Sequence, residues 1–283
     1  AARAAADRTR RFVADAAHEL RTPIAGVRAV AEAVLQQGPD ADPEERDRLN
    51  LLLVRESQRA GHLIDDLLDL ARIDAGVELH YGEVNLRALA ETEAARAELL
   101  APELKVEITG PALVVQADSA RITQILANLM DNARQATGGT GRITVRIDTV
   151  RIDTVRINTV RINTVTGAGG GTPGTGAFAE VVVTDDGPGV AETDRERIFD
   201  RLVRLDEARD RRSGGSGLGL AIARGFARAH GGELTCDAPP PGQQGAVFRL
   251  CLPITGGPPA DSRPTVGNPP VTRATPTGPV VAP

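Results

Sequence analysis

The chain of 283 residues is poor in several residue types, and each shortage argues against a class of protein. It has no tryptophan, five phenylalanines and one tyrosine, and its only lysine is Lys105. Its net charge is −5 and its basic stretches are interleaved with acidic residues, so we expect no nucleic-acid partner. No run of 18 or more apolar residues occurs, so we predict neither a membrane span nor membrane contact by this segment.

Cysteine is scarce as well. Cys236 and Cys251 both lie in apolar surroundings near the end of the predicted folded part. The two could form a disulfide, but small buried thiols in a reducing cytosol are the preferred interpretation. Among the histidines, His62, His80 and His230 show no metal-ligand spacing and are interpreted as structural or exposed.

The first 76 residues carry a strong helical pattern. Two helices are predicted, at about residues 4–37 and from the breakers at 38–43 to about Ala75. A seam at spacings of three and four runs along each helix, formed by Val13, Ala17, Leu20, Ile24, Val27, Ala31 and Val34 and by Leu49, Leu53, Glu56, Ala60, Leu63, Leu67 and Leu70. This wide stripe predicts an antiparallel hairpin that dimerises into a four-helix bundle; packing against a second domain of the same chain is the alternative.

His18 lies one residue past this seam, where a rigid helix would hold its imidazole open to solvent. Because a large fraction of unperturbed imidazole is neutral near pH 7, one ring nitrogen is a candidate nucleophile. Glu19 could orient or deprotonate the other nitrogen, and Thr22, on the same helix face, could position a water or an acyl phosphate. An ordinary surface histidine is the alternative, whereas a zinc-protease motif is excluded because Thr22 replaces its second histidine.

Downstream, the pattern changes to mixed helices and strands. Helices are predicted at 84–100 and 119–136, and strands at 105–108, 113–116, 179–184, 233–236 and 246–252. On the second of these helices Asn128 and Asn132 share a face. Their oxygens could coordinate a divalent cation, and their amide protons could bind phosphate oxygens. The alternative is that they are ordinary polar residues without a ligand.

Two glycine-rich segments could contact a nucleotide. Asp185 ends a predicted strand and could accept the exocyclic amine of adenine, while Gly187 and Gly189 let the backbone approach the ring. The second segment opens a helix whose backbone NH groups could receive phosphate, and its residues are Gly215, Gly217, Leu218 and Gly219. Each segment alone is weak evidence, since similar ones form plain turns or belong to dinucleotide-binding folds.

Residues 143–165 contain a tandem repeat of Thr-Val-Arg-Ile-Asp/Asn that leads into a glycine-rich stretch. Because its period is odd, the apolar pair of each copy falls on the opposite strand face from that of the last copy. The first copy is therefore predicted to be a sheet strand, with about 148–176 an inserted hairpin or disordered loop. An inert insertion is preferred over intermolecular strand pairing. Residues 255–283 are predicted to be a disordered proline-rich tail.

Five segments in this order resemble the motifs of bacterial two-component sensor histidine kinases. They are similar to the H box (12–23), the N box (121–133), the G1 box (185–189), the F box (197–201) and the G2 box (215–222). The resemblance covers about residues 10–253 and implies an α+β fold. A helical hairpin at 1–76, a four-helix bundle in the homodimer, would precede a two-layer α/β sandwich that binds ATP at 77–254.

The resemblance also implies an activity. His18 would be autophosphorylated from ATP, with Mg²⁺ at Asn132 and adenine at Asp185, and the phosphoryl group would pass to an aspartate of a response regulator. Glu19 and Thr22 would also serve dephosphorylation of that regulator. The chain would be the cytoplasmic portion of a membrane-anchored sensor whose N-terminal part is absent from this sequence.

The match has departures. Gln135 stands where the family usually has a basic residue for phosphate, with Arg134 as a candidate substitute, and Ala136 replaces an aromatic residue or histidine. Leu202 and Val203 replace the second aromatic residue and the tyrosine of the F box. These departures leave two alternatives: a catalytically weak dimeric scaffold or regulator phosphatase, and a gyrase-type ATPase clamp that would not need His18.

Overall fold

The structure is a computed structural model that describes residues 2–36, 42–151, 177–205 and 216–254. Its first part is a hairpin of α1 (Ala2–Gln36) and α2 (Pro43–Ala75), which pack against each other. Because the connection is short, the two helices run antiparallel, as predicted. α2 begins where the Asp42 carboxylate accepts the N–H of Glu44, and it ends at Gly76, whose φ is 85°.

Part of the α2 seam packs against the second part of the chain. Leu63 and Leu70 are 5% and 1% exposed and belong to the same continuous buried cluster as the core of the second part. The alternative raised from the sequence, packing against a domain of the same chain, therefore accounts for these two residues. Other apolar side chains of the hairpin remain exposed, and they include Ile24, Leu51, Val54, Ile64 and Leu68.

The second part contains three helices and seven strands among the described residues. In chain order they are β1 (Gly82–Asn85), α3 (Leu86–Leu100), β2 (Lys105–Thr109), β3 (Val114–Ala117), α4 (Ser119–Ala136), β4 (Arg142–Arg151), β5 (Ala177–Asp185), α5 (Gly219–Ala229), β6 (Glu233–Asp237) and β7 (Val247–Pro253). Two short 3₁₀ turns lie between β5 and α5, at Glu192–Asp194 and Arg197–Phe199.

These elements form two layers. The main sheet has the order β2-β4-β5-β7-β6, in which β2 and β4 are parallel and the other neighbours antiparallel. Helices α3, α4 and α5 pack against this sheet, and their apolar residues meet the fully buried Ala179, Val181 and Val183 of β5. The polar outer face includes Glu180, which accepts hydrogen bonds from Arg146 and Arg249. The predicted α+β class and two-layer sandwich are confirmed.

One predicted helix begins later than the sequence indicated. A helix was expected at 84–100, but β1 occupies Gly82–Asn85 and pairs with β3, where Val84 lies opposite Val115. Both valines are buried, so tertiary pairing overrides the helical pattern at this end. The Asn85 side chain accepts the N–H groups of Arg87 and Ala88 and thereby starts α3.

The repeat follows its predicted parity over the part that is described, but β4 is longer than predicted, since it continues through Arg151, past the expected start of the insertion at about 148. In the first copy Val145 and Ile147 are buried toward the helices. In the second copy Val150 falls on the opposite strand face, opposite Phe178 of β5. The remaining copies lie outside the described residues, as do most of the predicted insertion and the predicted tail at 255–283.

Both cysteines are buried free thiols, as the sequence predicted. Burial raises the pKa of Cys236 and of Cys251 to about 12. No helix in the described part of the chain is long and apolar enough to span a bilayer.

Candidate active site

A cleft of about 1050 Å³ lies between the hairpin and the second part. Many of the sequence-predicted site residues line it together: Glu19, Thr22, Asn128, Asn132, Gly189, Gly217 and Gly219. Gly215 and the side chain of His18 are outside the described part of the structure. Glu19 and Thr22, one and four residues after His18 in α1, therefore face the same space as the asparagines of α4 and the glycine loop, residues 216–219.

Asp185 is held at the carboxyl end of β5 with only one oxygen satisfied. Its Oδ1 accepts the backbone N–H groups of Gly187 at 3.0 Å and Ala246 at 3.2 Å. Its Oδ2 is buried and has no hydrogen-bond partner among the described residues. Burial raises the pKa of this carboxyl, and the nearby charge of Asp186 acts in the same direction, while the two N–H groups oppose them. A buried free acceptor suits an exocyclic amine.

The neighbouring asparagines also leave capacity for a ligand. The Nδ2 of Asn128 is buried without a partner among the described residues, and Asn132 lies one helical turn later on the same cleft wall. A Cβ at Gly219 would lie 3.1 Å from the Asn128 Oδ1, so glycine keeps this corner open. The described residues contain no cluster of three or more acidic, histidine or cysteine side chains that could hold a metal ion.

The glycine loop is hydrogen-bonded to helix α2 of the hairpin. Gly217 adopts a φ of 70°, and the Ser216 hydroxyl accepts the N–H of Leu218 at 3.2 Å. The same hydroxyl donates to the Asp66 carboxylate of α2 at 2.7 Å. Leu218 is fully buried and anchors the loop at the start of α5. Burial raises the pKa of Asp66, although the Ser216 hydrogen bond opposes this shift.

A second contact between the two parts centres on Asp69, which is 5% exposed. Its carboxylate accepts Arg121 Nη1 at 3.2 Å and Gln124 Nε2 at 2.6 Å, both from α4. Farther along α2, Ile73 packs so closely against Gly225 of α5 that a Cβ there would lie 2.8 Å from the isoleucine. These contacts fix α2 against α4 and α5.

The structure separates some predicted site residues from the cleft. Arg134 is not among the lining residues, and its Nε lies 3.5 Å from Asp131 Oδ1. Gln135 and Ala136 do line the cleft. Asp185, Gly187 and Leu218 are not lining residues, but Asp185 lies directly behind the wall, where it accepts the backbone N–H of the lining residue Ala246.

Sequence reasoning missed several residues that shape the site. Asp66 and Asp69 are charged positions of α2, but nothing in their spacing identified Ser216 and Arg121 as partners. Gly245, with a φ of 113°, passes so close to β5 that a Cβ would overlap the Asp185 carbonyl. The only signal for it was a glycine just before the last predicted strand.

Two family models match the chain. Residues 8–76 match the His Kinase A (phospho-acceptor) domain, and residues 117–256 match the histidine kinase-, DNA gyrase B- and HSP90-like ATPase. The chain belongs to the sensor histidine kinases. Its helical hairpin corresponds to the first model, and the part from the last residue of β3 through β7 to the second.

Relatives among curated proteins agree with this family. The probable sensor histidine kinase TcrY of Mycobacterium tuberculosis is 32% identical over 257 residues, covering 90% of this chain and 48% of TcrY. The sensor histidine kinase MtrB of Mycobacterium bovis is 35% identical over 254 residues, covering 88% of this chain and 40% of MtrB. MprB of Mycobacterium ulcerans, a signal transduction histidine-protein kinase/phosphatase, is 32% identical over 264 residues, covering 90% and 46%. The chain thus spans less than half the length of these relatives.

Solved structures share the fold. The Acinetobacter baumannii histidine kinase AdeS gives a TM-score of 0.59 at 20% identity, covering 84% of this chain and 98% of AdeS. The histidine kinase ThkA in complex with the response regulator TrrA gives 0.58 at 23%, covering 87% and 61%. Full-length ShkA in complex with AMPPNP gives 0.52 at 25%, covering 88% and 46%.

Proposed function

We propose that this chain is a kinase core that transfers the γ-phosphoryl group of ATP to His18 and then to an aspartate of a response regulator. The observation that carries the proposal is the shared cleft. Glu19 and Thr22, which lie one and four residues after His18 in α1, line the same space as Asn128 and Asn132 of α4. A phosphoacceptor turn and a nucleotide wall that share one cavity are what direct transfer requires.

The nucleotide is held by groups that lack partners in the described residues. Asp185 Oδ2 accepts the exocyclic amine of adenine, and Asn128 Nδ2 donates to a phosphate oxygen. The backbone around Gly217 and Gly219, at the start of α5, receives further phosphate oxygens. Asn132 would hold Mg²⁺, which would supply charge neutralisation at the phosphates.

The transfer step uses the neutral imidazole of His18. One ring nitrogen forms a bond to the γ-phosphorus as the bond from that phosphorus to the bridging oxygen breaks, which leaves ADP. The Glu19 carboxylate accepts a hydrogen bond from the N–H of the other ring nitrogen and so orients the ring. Thr22, one turn away, positions the water or acyl phosphate in the regulator reactions.

Partners follow from the same surfaces. The exposed apolar residues of the hairpin, among them Leu51, Val54 and Leu68, form the homodimer interface of a four-helix bundle. A response regulator docks beside His18, and dephosphorylation of that regulator is included because the relative MprB is named a kinase/phosphatase. A cytoplasmic location as part of a membrane-anchored sensor stays a prediction.

The test is incubation of the purified protein with Mg²⁺ and γ-labelled ATP. We expect acid-labile, base-stable label on the wild type and none on His18→Gln, because a phosphoramidate has that stability pattern. His80→Gln, the same change at an exposed histidine outside the cleft, is the matched control and keeps the label. Label that persists in His18→Gln, or no label on a wild type that binds ATP, contradicts the proposal.

A further inference from the structure

The positive charge of the cleft comes largely from the hairpin. Among the described lining residues, the second part contributes one arginine, Arg204, and no lysine. At the end of α4, the neutral Gln135 lies on the cleft wall. Helix α2 contributes two arginines, Arg55 and Arg59. A triphosphate in this space therefore meets cations from the opposite wall.

The two α2 arginines are available for a ligand. Both are exposed, and neither makes a hydrogen bond or ion pair among the described residues. Other arginines at this boundary are committed, since Arg72 and Arg121 both bind Asp69. Two unpaired guanidinium groups, four residues apart on one helix face, form a ready phosphate site.

Their position along α2 places them beside the reacting groups. Asp66, two helical turns after Arg59 on the same face, holds Ser216 of the glycine loop, so that loop lies about 10 Å along the helix from Arg59. On the other side, a Cβ at Gly26 of α1 would lie 3.1 Å from Glu56 of α2. Because the helices are antiparallel, a residue about one turn after Glu56 in α2 lies beside a residue about one turn before Gly26 in α1. Arg59 is therefore at the level of Thr22.

We propose that Arg59, supported by Arg55, binds the γ-phosphate of ATP and supplies from the hairpin the cation that α4 lacks at Gln135. This inference rests on the proposed function. A guanidinium forms paired, charge-assisted hydrogen bonds with phosphate oxygens. The γ-phosphate must move from the glycine loop to α1. It is therefore the part of the nucleotide that passes Arg59. ADP lacks that phosphate, so the arginines distinguish the substrate from the product.

The experiment is calorimetric titration of the whole chain with Mg-AMPPNP and with Mg-ADP. AMPPNP carries a γ-phosphate that is not transferred, so binding is measured without reaction. The proteins are the wild type, Arg59→Gln, Arg55→Gln/Arg59→Gln and Arg46→Gln. Arg46 is the matched control, because it is an exposed arginine of α2 outside the cleft lining.

In the double variant we expect the Kd for AMPPNP to rise by about tenfold or more, the effect of losing a charge-assisted contact. The Kd for ADP should stay within about twofold of wild type, as should both constants in Arg46→Gln, since no γ-phosphate contact is lost. An unchanged AMPPNP constant, or an equal rise for both nucleotides, overturns the proposal. A wild type that binds neither nucleotide contradicts the proposed function instead.

A rescue variant tests whether the arginines and position 135 serve one phosphate site. Gln135→Lys places a cation on the opposite wall of the same cleft. Added to the double variant, it should recover most of the lost AMPPNP affinity and leave ADP affinity unchanged. Absence of recovery overturns the assignment of a shared phosphate site.

Discussion

The Nε2 atom of His230 accepts a hydrogen bond from the backbone N–H of Asp118 at 3.0 Å, across 112 positions of sequence. The other ring nitrogen, Nδ1, lies 2.8 Å from the Phe226 carbonyl, so the ring proton resides there. The Asp118 carboxylate accepts the N–H groups of Arg121 and of His80, which lies in the connection between the two parts. One buried pair therefore joins the end of α5, the start of α4 and the interdomain connection.

This pairing predicts a loss of stability in mild acid. Burial lowers the pKa of His230, partly opposed by the Phe226 hydrogen bond and the charge of Asp118. Since the unfolded imidazole titrates near about 6.5, the unfolded chain binds more protons below that pH. The free energy of unfolding is therefore complete above about pH 6.5 and falls as the pH drops below it. Thermal unfolding between pH 8 and 5 measures the effect.

A variant isolates the contribution of His230 to this profile. His230→Leu leaves the Asp118 N–H without its acceptor and should cost about 1–3 kcal/mol at neutral pH. It should also flatten the fall between pH 7 and 5. His62→Gln, at an exposed histidine, is the control and should retain the wild-type slope. An equally steep slope in His230→Leu would assign the acid sensitivity to other groups.

We expect the affinity for ADP to depend on the negative charge of the Asp185 carboxylate. Asp185→Asn removes the negative charge from the free acceptor, and we expect the Kd for ADP to rise by about tenfold or more. Because burial raises the pKa of Asp185, wild-type affinity should begin to fall at a higher pH than an ordinary aspartate would give. Titrations with Mg-ADP from pH 7.5 to 5 measure both effects.

The neighbouring Asp186 supplies the control for that experiment. Its carboxylate accepts the backbone N–H of Arg142 at 2.9 Å and is exposed. Asp186→Asn should change ADP affinity little and keep the pH dependence. If Asp185→Asn bound ADP as well as the wild type does, the proposed role of this residue in adenine recognition would be wrong.

Gly245 and Gly242 offer a matched pair for testing the loop that holds Asp185. Both have positive φ, 113° and 84°, but a Cβ at Gly242 has no neighbour within 4 Å, whereas one at Gly245 would overlap the Asp185 carbonyl. Gly242→Ala should cost about 1–2 kcal/mol through backbone strain alone. Gly245→Ala should cost roughly twice that or more, because the end of β5 must also move. Equal shifts in Tm for the two variants would contradict this account.

Local patterns were enough to predict most helices and strands and to identify several residues that the fold brings together. The period of the hairpin seam, the Asn128–Asn132 spacing and the glycine segments depend on neighbours in sequence, and seven predicted site residues do line one cleft. The start of α3 was wrong because Val84 is held in a strand by Val115, a partner 31 positions away.

Contacts between the two parts could not be predicted in this way. Leu63 and Leu70 carry the same periodicity as the rest of the seam, yet they join the core of the second part. No local pattern distinguishes Arg55 and Arg59 from other polar positions of α2, because their role depends on which surface faces them. The position of one folded part against another follows from complementary surfaces, and a single sequence does not display those.

Asp69 is the residue through which that docking is most directly tested. Asp69→Asn places an amide NH₂ group against the donors Arg121 and Gln124, so at least one of its two hydrogen bonds to α4 is lost. We expect a cost of about 1–3 kcal/mol, seen as a lower Tm. Hydrogen exchange should also become faster at the start of α4 and in the connection at 76–81. Asp65→Asn is the matched control, an exposed aspartate four residues earlier that makes no hydrogen bond among the described residues. Faster exchange in both variants, or in neither, would mean that Asp69 does not hold the two parts together.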